Sequence, residues 1–244
     1  MWNTLLVQPI FKALIFLYSI LGQNLGLAII ALTLIIRGLL TPLTLPSLKL
    51  GQKMKQLQPE LDKLKAKYGA NKQEFAKKQL ELYQSHGLNP AAGCLPQIIQ
   101  LVILIALYQV FQNVLNHSSD YNPNFLYLDL TKPDLVSVPA IKIFNFVIDK
   151  LPGPILILAA ATQFFSSKLM MPSFKKTAQI AQKTPDQADD LAASMQTQTL
   201  YLFPLMTLFI GFSFPSGLVL YWLVFSAFML AQQIIINYYD GKKD

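Results

Sequence analysis

Long apolar segments alternate with polar, lysine-rich stretches along this 244-residue chain. A membrane-spanning helix needs about 20 mostly apolar residues to cross roughly 30 Å of hydrocarbon. Five segments have the composition of spanning helices, and the fourth is short enough to imply local thinning of the bilayer. These segments are residues 25–46, 93–115, 151–171, 199–214 and 217–238. The pattern therefore predicts an all-α membrane protein with five spanning helices.

A sixth apolar stretch lies in residues 1–24, where Pro9 and Lys12 interrupt it. No basic residue precedes Lys12 and no small-residue cleavage motif follows it, which disfavours a signal peptide. We expect residues 1–24 to form an interfacial helix on the outer face of the membrane. A sixth spanning helix and a cleaved segment are the alternatives.

The distribution of lysine predicts the orientation, because basic residues concentrate on the cytoplasmic side of membrane proteins. Fourteen of the 20 basic residues fall in residues 47–92, 172–198 and 239–244, and Lys168 at the cytoplasmic end of the third span makes fifteen on that side. Four fall in residues 1–24 and 116–150. We therefore expect the N-terminus outside, an extracytoplasmic loop at residues 116–150, a cytoplasmic loop at residues 172–198 and a cytoplasmic C-terminal tail at residues 239–244.

Residues 47–92 have the pattern of a helical hairpin with a net charge of +5. Apolar residues follow the alternating three- and four-residue spacing of a coiled-coil seam. Gly69 can end the first helix, and Asn71 with Glu74 resembles a capping box that starts a second one. The seam residues are Met54, Leu57, Leu61, Leu64 and Tyr68, followed by Ala76, Leu80 and Tyr83. Such a hairpin is either a solvated structure near anionic lipid or a contact for a ribosome or partner protein.

The composition supports the membrane class and gives no sign of catalysis. Charged residues make up 14% of the chain, against about 25% in soluble domains. A single cysteine, Cys94, excludes a disulfide framework and a thiolate zinc site. The chain has no zinc-protease, nucleophile-elbow or phosphate-loop motif, and no predicted span contains Asp, Glu or His. We expect neither a cofactor, a metal nor an enzymatic activity.

Arg37 lies near the middle of the first span, where a charge costs about 2.5–3.5 kcal/mol on insertion scales. Such a residue usually faces the bundle interior or a water-filled cavity; the alternative is that it reaches the interface. Helical spacing places Thr33 on the same face, and it pairs Gln97 with Gln100 in the second span. Gln163 adds polarity to the third. We expect these groups to meet in one hydrated concavity, although ordinary interhelical hydrogen bonding would also suit the amides.

Three stretches of the chain resemble the YidC-type membrane protein insertases, which are bacterial members of a superfamily that includes the mitochondrial and chloroplast insertases. They are Thr33–Thr44 (TLIIRGLLTPLT), Leu82–Gln100 (LYQSHGLNPAAGCLPQIIQ) and Phe214–Trp222 (FPSGLVLYW). The resemblance implies a five-helix core around a positively charged hydrophilic groove. This groove would be open to the cytoplasm and to lipid but closed on the outside.

The resemblance also implies site residues and partners. It assigns groove positions to Arg37, Thr33 and Gln100. It assigns substrate contacts to Tyr221 and Trp222, which would otherwise be interfacial aromatics. The implied function is that of an insertase and chaperone for nascent membrane proteins, which acts as a monomer in the bacterial plasma membrane. The ribosome and the Sec translocon are the candidate partners of the basic hairpin. A small-solute or ion transporter is the alternative, although the chain shows no internal repeat.

Overall fold

The computed structural model describes residues 2–69, 71–89, 95–116, 120–143, 146–170 and 198–240, and most of them are helical. Single π-helical turns at Asn3–Val7 and Gln198–Leu202 lead into the first and seventh helices. Most of the predicted loop 172–198 and the tail residues 241–244 lie outside the described residues. Within the described ranges the α-helices are α1 (Gln8–Ile20), α2 (Leu25–Gln56), α3 (Gln58–Tyr68), α4 (Lys72–Ser85), α5 (Leu95–Asn116), α6 (Pro154–Met170), α7 (Phe203–Gly211) and α8 (Ser216–Asp240).

Several of these helices are candidates for crossing a membrane. Three of those described are long and apolar enough by length and composition: Asn3–Ile20, Leu25–Met54 and Ser216–Tyr239. Shorter apolar helices are found at Ile98–Val114, Pro154–Leu169 and Leu200–Gly211. The protein is therefore mostly helical, and its long helices are suited to a lipid environment.

The helices pack around α8, which lies between α2 and α6 and contacts both. Helix α7 packs against α6, and α1 packs against α2 and α5. Ala28, Ala106 and Ala159 are completely buried in the shared hydrophobic core. Small residues at such positions allow membrane helices to approach closely. Gly211 serves the same purpose in α7, because a Cβ atom there would collide with the side chain of Leu156 in α6.

Helix α2 extends beyond the predicted end of the first span at residue 46. It continues to Gln56 through two internal prolines, Pro42 and Pro46. Membrane helices tolerate proline where neighbouring hydroxyl groups and helices satisfy or cover the backbone. Here Thr41 and Thr44 each donate a hydrogen bond to the carbonyl one turn before them, that of Arg37 at 2.8 Å and that of Leu40 at 3.1 Å. The carbonyls that lose their donors to the two prolines are different ones, those of Gly38 and Pro42. The hairpin helices therefore follow a longer α2 than the sequence pattern indicated.

The predicted hairpin is present as α3 and α4. Asn71 caps α4 by accepting a hydrogen bond from the backbone N–H of Glu74 at 3.3 Å, which confirms the predicted capping interaction. A small core joins the hairpin to the end of α2 and consists of Leu50, Leu57, Leu61, Tyr83 and Leu88. The predicted stripe along α4 is only partly buried, since Leu80 remains 47% exposed. The packing lies near the start of α3 and the end of α4, away from the turn that joins them.

The loop before α6 departs from the all-helical prediction. It contains two antiparallel strand pairs, β1 (Asn124–Phe125) with β2 (Leu128–Asp129) and β3 (Leu135–Ile143) with β4 (Phe146–Pro152). Valine and isoleucine recur through β3 and β4, and such β-branched residues favour strands. Because β4 occupies residues through Pro152, α6 begins at Pro154 rather than at residue 151. Proline is favoured at the first position of a helix.

Candidate functional site

Arg37 lies inside the helix bundle, and only 5% of its surface is exposed. Its Nη2 donates hydrogen bonds to Gln100 Oε1 of α5 and to Tyr221 Oη of α8, the second at 3.3 Å. Gln100 Nε2 also donates to Tyr221 Oη at 3.1 Å. One guanidinium group therefore connects α2, α5 and α8. We refer to Arg37, Gln100, Tyr221 and Phe225 as the arginine cluster.

Phe225 completes the cluster from one turn further along α8. The guanidinium carbon of Arg37 lies 3.8 Å from the centre of the Phe225 ring. The rings of Tyr221 and Phe225 are stacked, with centroids 6.4 Å apart and planes 12° from parallel. A cation over an aromatic face gains about 2 kcal/mol when both are desolvated. The sequence analysis missed Phe225, although its four-residue spacing from Tyr221 places both on one helix face.

The cluster leaves the guanidinium group incompletely paired. Arginine has five N–H donors, yet Arg37 Nε is buried without a hydrogen-bond partner. The apolar segments that contain the cluster hold no Asp or Glu to neutralise the charge. Unpaired buried donors are costly. The site therefore has the capacity to bind an additional acceptor, and a carboxylate fits an arginine best.

Thr33 lies on the same face of α2 and is 1% exposed. Its hydroxyl donates to the Ile29 carbonyl of its own helix at 2.6 Å. Thr33, Ile36 and Tyr221 border a cavity of about 10 Å³, which is close to the space that one water molecule requires. Arg37 does not line this cavity and is itself 5% exposed, so the described residues show no open, hydrated concavity around it. The guanidinium group points into the bundle and is enclosed by α5 and α8.

Polar contacts continue from Arg37 toward the C-terminal ends of α2 and α8. The hydroxyl of Thr41 donates to the Arg37 carbonyl, and Gln232 Nε2 of α8 donates to Thr41 Oγ1 at 2.9 Å. Thr44 follows on the same face of α2 and is 4% exposed. Side chains at this helical spacing form a continuous stripe on α2.

The stripe ends in three amides. Gln52 Nε2 of α2 and Gln233 Nε2 of α8 both donate to Asn237 Oδ1, at 2.6 and 3.0 Å. The Oε1 atoms of Gln52 and Gln233 are buried and have no partner. Each glutamine therefore uses only part of its hydrogen-bonding capacity here. We call Thr41, Gln52, Gln232, Gln233 and Asn237 the amide seam.

The other predicted site residues do not join the arginine cluster. Gln163 of α6 accepts a hydrogen bond from the Thr207 hydroxyl of α7 at 2.6 Å. Trp222 is half-buried and borders a small cavity with Thr207 and Phe214. Consecutive helical residues point about 100° apart, so Trp222 faces α7 while Tyr221 faces Arg37. The side chain of Gln97 lies outside the described residues.

The described part of the chain contains no group of three or more His, Cys, Asp or Glu side chains that could hold a metal ion. The chemistry of the cluster is instead that of hydrogen bonding and charge.

Comparison with known proteins assigns the family. The family model described as 60Kd inner membrane protein matches residues 16–243, which is nearly the whole chain. The chain belongs to this family. The resemblance carried by the stretches around Arg37, Gln100 and Tyr221 is thereby confirmed.

Named relatives within the 60Kd inner membrane protein family have different lengths. The chain is 34% identical to the membrane protein insertase MisCA of Bacillus subtilis over 250 residues, covering 100% of this chain and 82% of the relative. It is 34% identical to YidC 2 of Bacillus anthracis over 240 residues, covering 97% and 81%. It is also 34% identical to YidC of Pelobacter propionicus over 243 residues, which covers 97% of this chain but 39% of that longer protein.

Proposed function

We propose that this protein inserts nascent membrane proteins into a bacterial membrane and assists their folding, without covalent catalysis. The observation that carries the proposal is the incompletely paired Arg37, held at the meeting point of α2, α5 and α8. Family membership and the names of the relatives as membrane protein insertases support it. The geometry adds a chemical reason, because an acidic group on a substrate would find unused donors at Arg37.

The proposed topology has five spanning helices, namely α2, α5, α6, α7 and α8. In this topology the hairpin α3–α4 would lie in the cytoplasm and the N-terminus outside, and the excess of lysine in residues 47–92 supports this orientation. Helix α1 would lie obliquely at the outer interface. Two contacts support this: Trp2 Nε1 donates to Gln109 Oε1 partway along α5, and Tyr18 Oη accepts from the Asn122 backbone N–H in the loop after α5.

The amide seam provides the proposed path from the cytoplasm to Arg37. Its unpartnered oxygens on Gln52 and Gln233 can accept hydrogen bonds from the backbone N–H groups of a polar segment. The segment would separate α8 from α2 and α5 as it advances, so that the closed cluster becomes a hydrated groove. Arg37 then binds an acidic group of the segment in place of Gln100 and Tyr221.

Insertion itself would be driven by transfer of the substrate's apolar segment into lipid, worth about 25 cal/mol for each Å² of apolar area removed from water. Helix α7 is short, with nine residues, and would locally thin the bilayer beside this route. Its lipid-facing side is apolar, with Leu205 and Phe209 exposed. The groove and the thinned bilayer together would lower the barrier for the polar segment.

The basic hairpin is the proposed contact for partners. Lys63, Lys67 and Lys77 are exposed on α3 and α4, and such charge attracts anionic lipid or nucleic acid. A ribosome carrying a nascent chain and the Sec translocon are the candidate partners.

The protein would act as a monomer in the lipid bilayer, since one chain supplies the whole arginine cluster.

Reconstitution in liposomes tests the proposal. The purified protein should insert a single-span substrate whose polar tail carries aspartates, and Arg37→Ala should reduce this about tenfold through loss of a charge-assisted hydrogen bond. Lys12→Ala is the matched control, because it removes an exposed positive charge from α1. Equal insertion by Arg37→Ala and the unmodified protein would contradict the proposal. Solute flux without insertion would favour a transporter.

A further inference from the structure

Helices α6 and α8 begin beside the same short stretch, residues 127–134, which we call the capping loop. The first N–H groups of a helix have no partner within it. In both helices some of these groups are hydrogen-bonded by the capping loop, although the helices start far apart in the chain.

Asp134 and Tyr127 cap α6. Asp134 is 2% exposed, and its Oδ2 accepts from the Leu156 backbone N–H at 2.9 Å. Tyr127 Oη accepts from the Ile155 N–H at 3.0 Å and donates to Asp134 Oδ1 at 3.1 Å. The Asp134 carbonyl accepts from the Gly153 N–H at 2.8 Å. A carboxylate at a helix N-terminus also interacts favourably with the helix dipole.

The same loop caps α8 with backbone carbonyls. The N–H of Ser216 donates to the Lys132 carbonyl at 2.7 Å, and the N–H of Gly217 donates to the Leu130 carbonyl at 3.1 Å. The Ser216 hydroxyl donates to the Asp129 carbonyl at 2.9 Å. Residue 217 must be glycine in this arrangement, because a Cβ atom there would collide with the ring of Phe111.

These contacts fix where α8 begins relative to the rest of the bundle. Tyr221 follows Ser216 by five residues, or about 7.5 Å along the helix axis. A displacement of the start of α8 would therefore move Tyr221 with respect to Arg37 and Gln100. Gly153 fits tightly against the Asp134 carboxylate, so α6 is held in a similarly defined position.

We infer that Asp134 is a positioning residue, which fastens α6 and α8 through the capping loop and thereby sets the depth of Tyr221 beside Arg37. This inference rests on the proposed function for its role in insertion. The position of α8 can be tested without an insertion assay, because Trp222 adjoins Tyr221 in α8 and can report on it by fluorescence. The chain has only one other tryptophan, Trp2, which can be replaced.

The test uses the full-length protein in nanodiscs with Trp2→Phe, so that Trp222 is the only tryptophan. We expect Asp134→Ala to shift Trp222 emission to longer wavelength and to increase acrylamide quenching about fivefold, in line with the loss of a helix cap. Asp149→Ala is the matched control, because it removes an exposed carboxylate from β4. Unchanged Trp222 emission and quenching in a folded Asp134→Ala protein would overturn the inference.

A milder variant covers the case in which Asp134→Ala does not fold. Tyr127→Phe removes only the hydroxyl that bonds Asp134 and the Ile155 N–H, and it should shift Trp222 in the same direction by a smaller amount. No shift in Tyr127→Phe would then overturn the inference.

Insertion assays separate this inference from the proposed function. If both hold, Asp134→Ala reduces insertion of the aspartate-tailed substrate more than that of a neutral-tailed one, as Arg37→Ala does. A Trp222 shift without any loss of insertion, while Arg37→Ala remains defective, would overturn the positioning role alone. Normal insertion by Arg37→Ala would overturn the proposed function, while the Trp222 shift would still support the structural role of Asp134.

Discussion

The arginine cluster and the capping loop both bury a charged side chain, but they differ in how completely that side chain is hydrogen-bonded. Both carboxylate oxygens of Asp134 accept hydrogen bonds. In contrast, three buried side-chain atoms in the described part of the chain have no partner, and all lie on α2 or α8: Arg37 Nε, Gln52 Oε1 and Gln233 Oε1. Complete pairing stabilises a fold, whereas unused donors and acceptors cost stability and are available to a ligand. We therefore propose that the capping loop mainly stabilises the fold and that the α2–α8 surface binds the substrate.

Removal of Asp134 should have the largest effect on stability. Asp134→Ala leaves the Leu156 N–H and the Tyr127 hydroxyl without their acceptor, so we expect the free energy of unfolding to fall by about 2–3 kcal/mol. Denaturant titration in detergent micelles measures this change. Asp149→Ala should stay close to the unmodified protein, and an equal loss in both variants would contradict a special role for the buried carboxylate.

Arg37→Met should separate function from stability. Arg37 has a costly unpaired donor, and Gln100 and Tyr221 keep their hydrogen bond to each other when the guanidinium group is removed. We therefore expect an unchanged or higher midpoint of unfolding, together with about tenfold slower insertion of an aspartate-tailed substrate. Parallel unfolding and insertion measurements provide the check. A large loss of stability would show that Arg37 is mainly a structural residue.

Substitution of a buried glutamine in the amide seam should also preserve stability and slow insertion, with a smaller effect on insertion than Arg37→Met. Gln233→Leu removes a 1% exposed amide with an unpartnered oxygen, so we expect the free energy of unfolding to rise by about 1 kcal/mol. Insertion should slow, because a polar segment would lose an acceptor on its path. Gln8→Leu on the exposed face of α1 is the control, and faster insertion by Gln233→Leu would contradict the proposed path.

We expect the ionisation of Asp129 in the capping loop to make the stability of the fold slightly dependent on pH. Burial alone would raise the pKa of Asp129, but hydrogen bonds from Lys132 and Thr131 outweigh it and lower the pKa below its ordinary value of 3.8. The stabilisation that ionised Asp129 gives to the folded protein is therefore complete above pH 3.8. It is lost as the pH falls through the lower pKa that Asp129 has in the folded protein. Because the ion pair is largely exposed to solvent, we expect at most about 1 kcal/mol. Acid titration of stability should show a smaller decrease for Asp129→Asn.

The sequence predicted the parts of the fold that depend on local patterns. Apolar runs indicated the long helices, and Asn71 with Glu74 indicated the start of α4. The strands before α6 were missed because a strand pair between two long helices depends on its partner strand, which a local pattern does not identify. The extension of α2 was missed because proline is usually a helix-ending signal, so the predicted span stopped at Pro46, whereas the helix continues through it to Gln56.

The candidate site was predictable where one helix face decided the geometry. Arg37 and Thr33 share a face, and Gln100 meets Arg37 as the pattern indicated. Phe225 shares a helix face with Tyr221, but its contact with Arg37 depends on how α2 and α8 pack. The capping role of Asp134 likewise depends on a contact between distant segments, which spacing alone does not reveal. Trp222 was grouped with Tyr221 because the resemblance implies substrate contacts for both, but adjacent helical residues face different neighbours.

A photocrosslinking experiment tests the central claim most directly, namely that a substrate's acidic segment reaches Arg37. A photoreactive amino acid at Ile36 would lie beside the cavity that Thr33 and Tyr221 border, and the substrate would be a ribosome-arrested chain with an aspartate tail. The account predicts a crosslink to that tail which is lost when Arg37→Ala is added. A crosslink of equal yield with Arg37→Ala, or no crosslink to the tail at any stage of insertion, would contradict it.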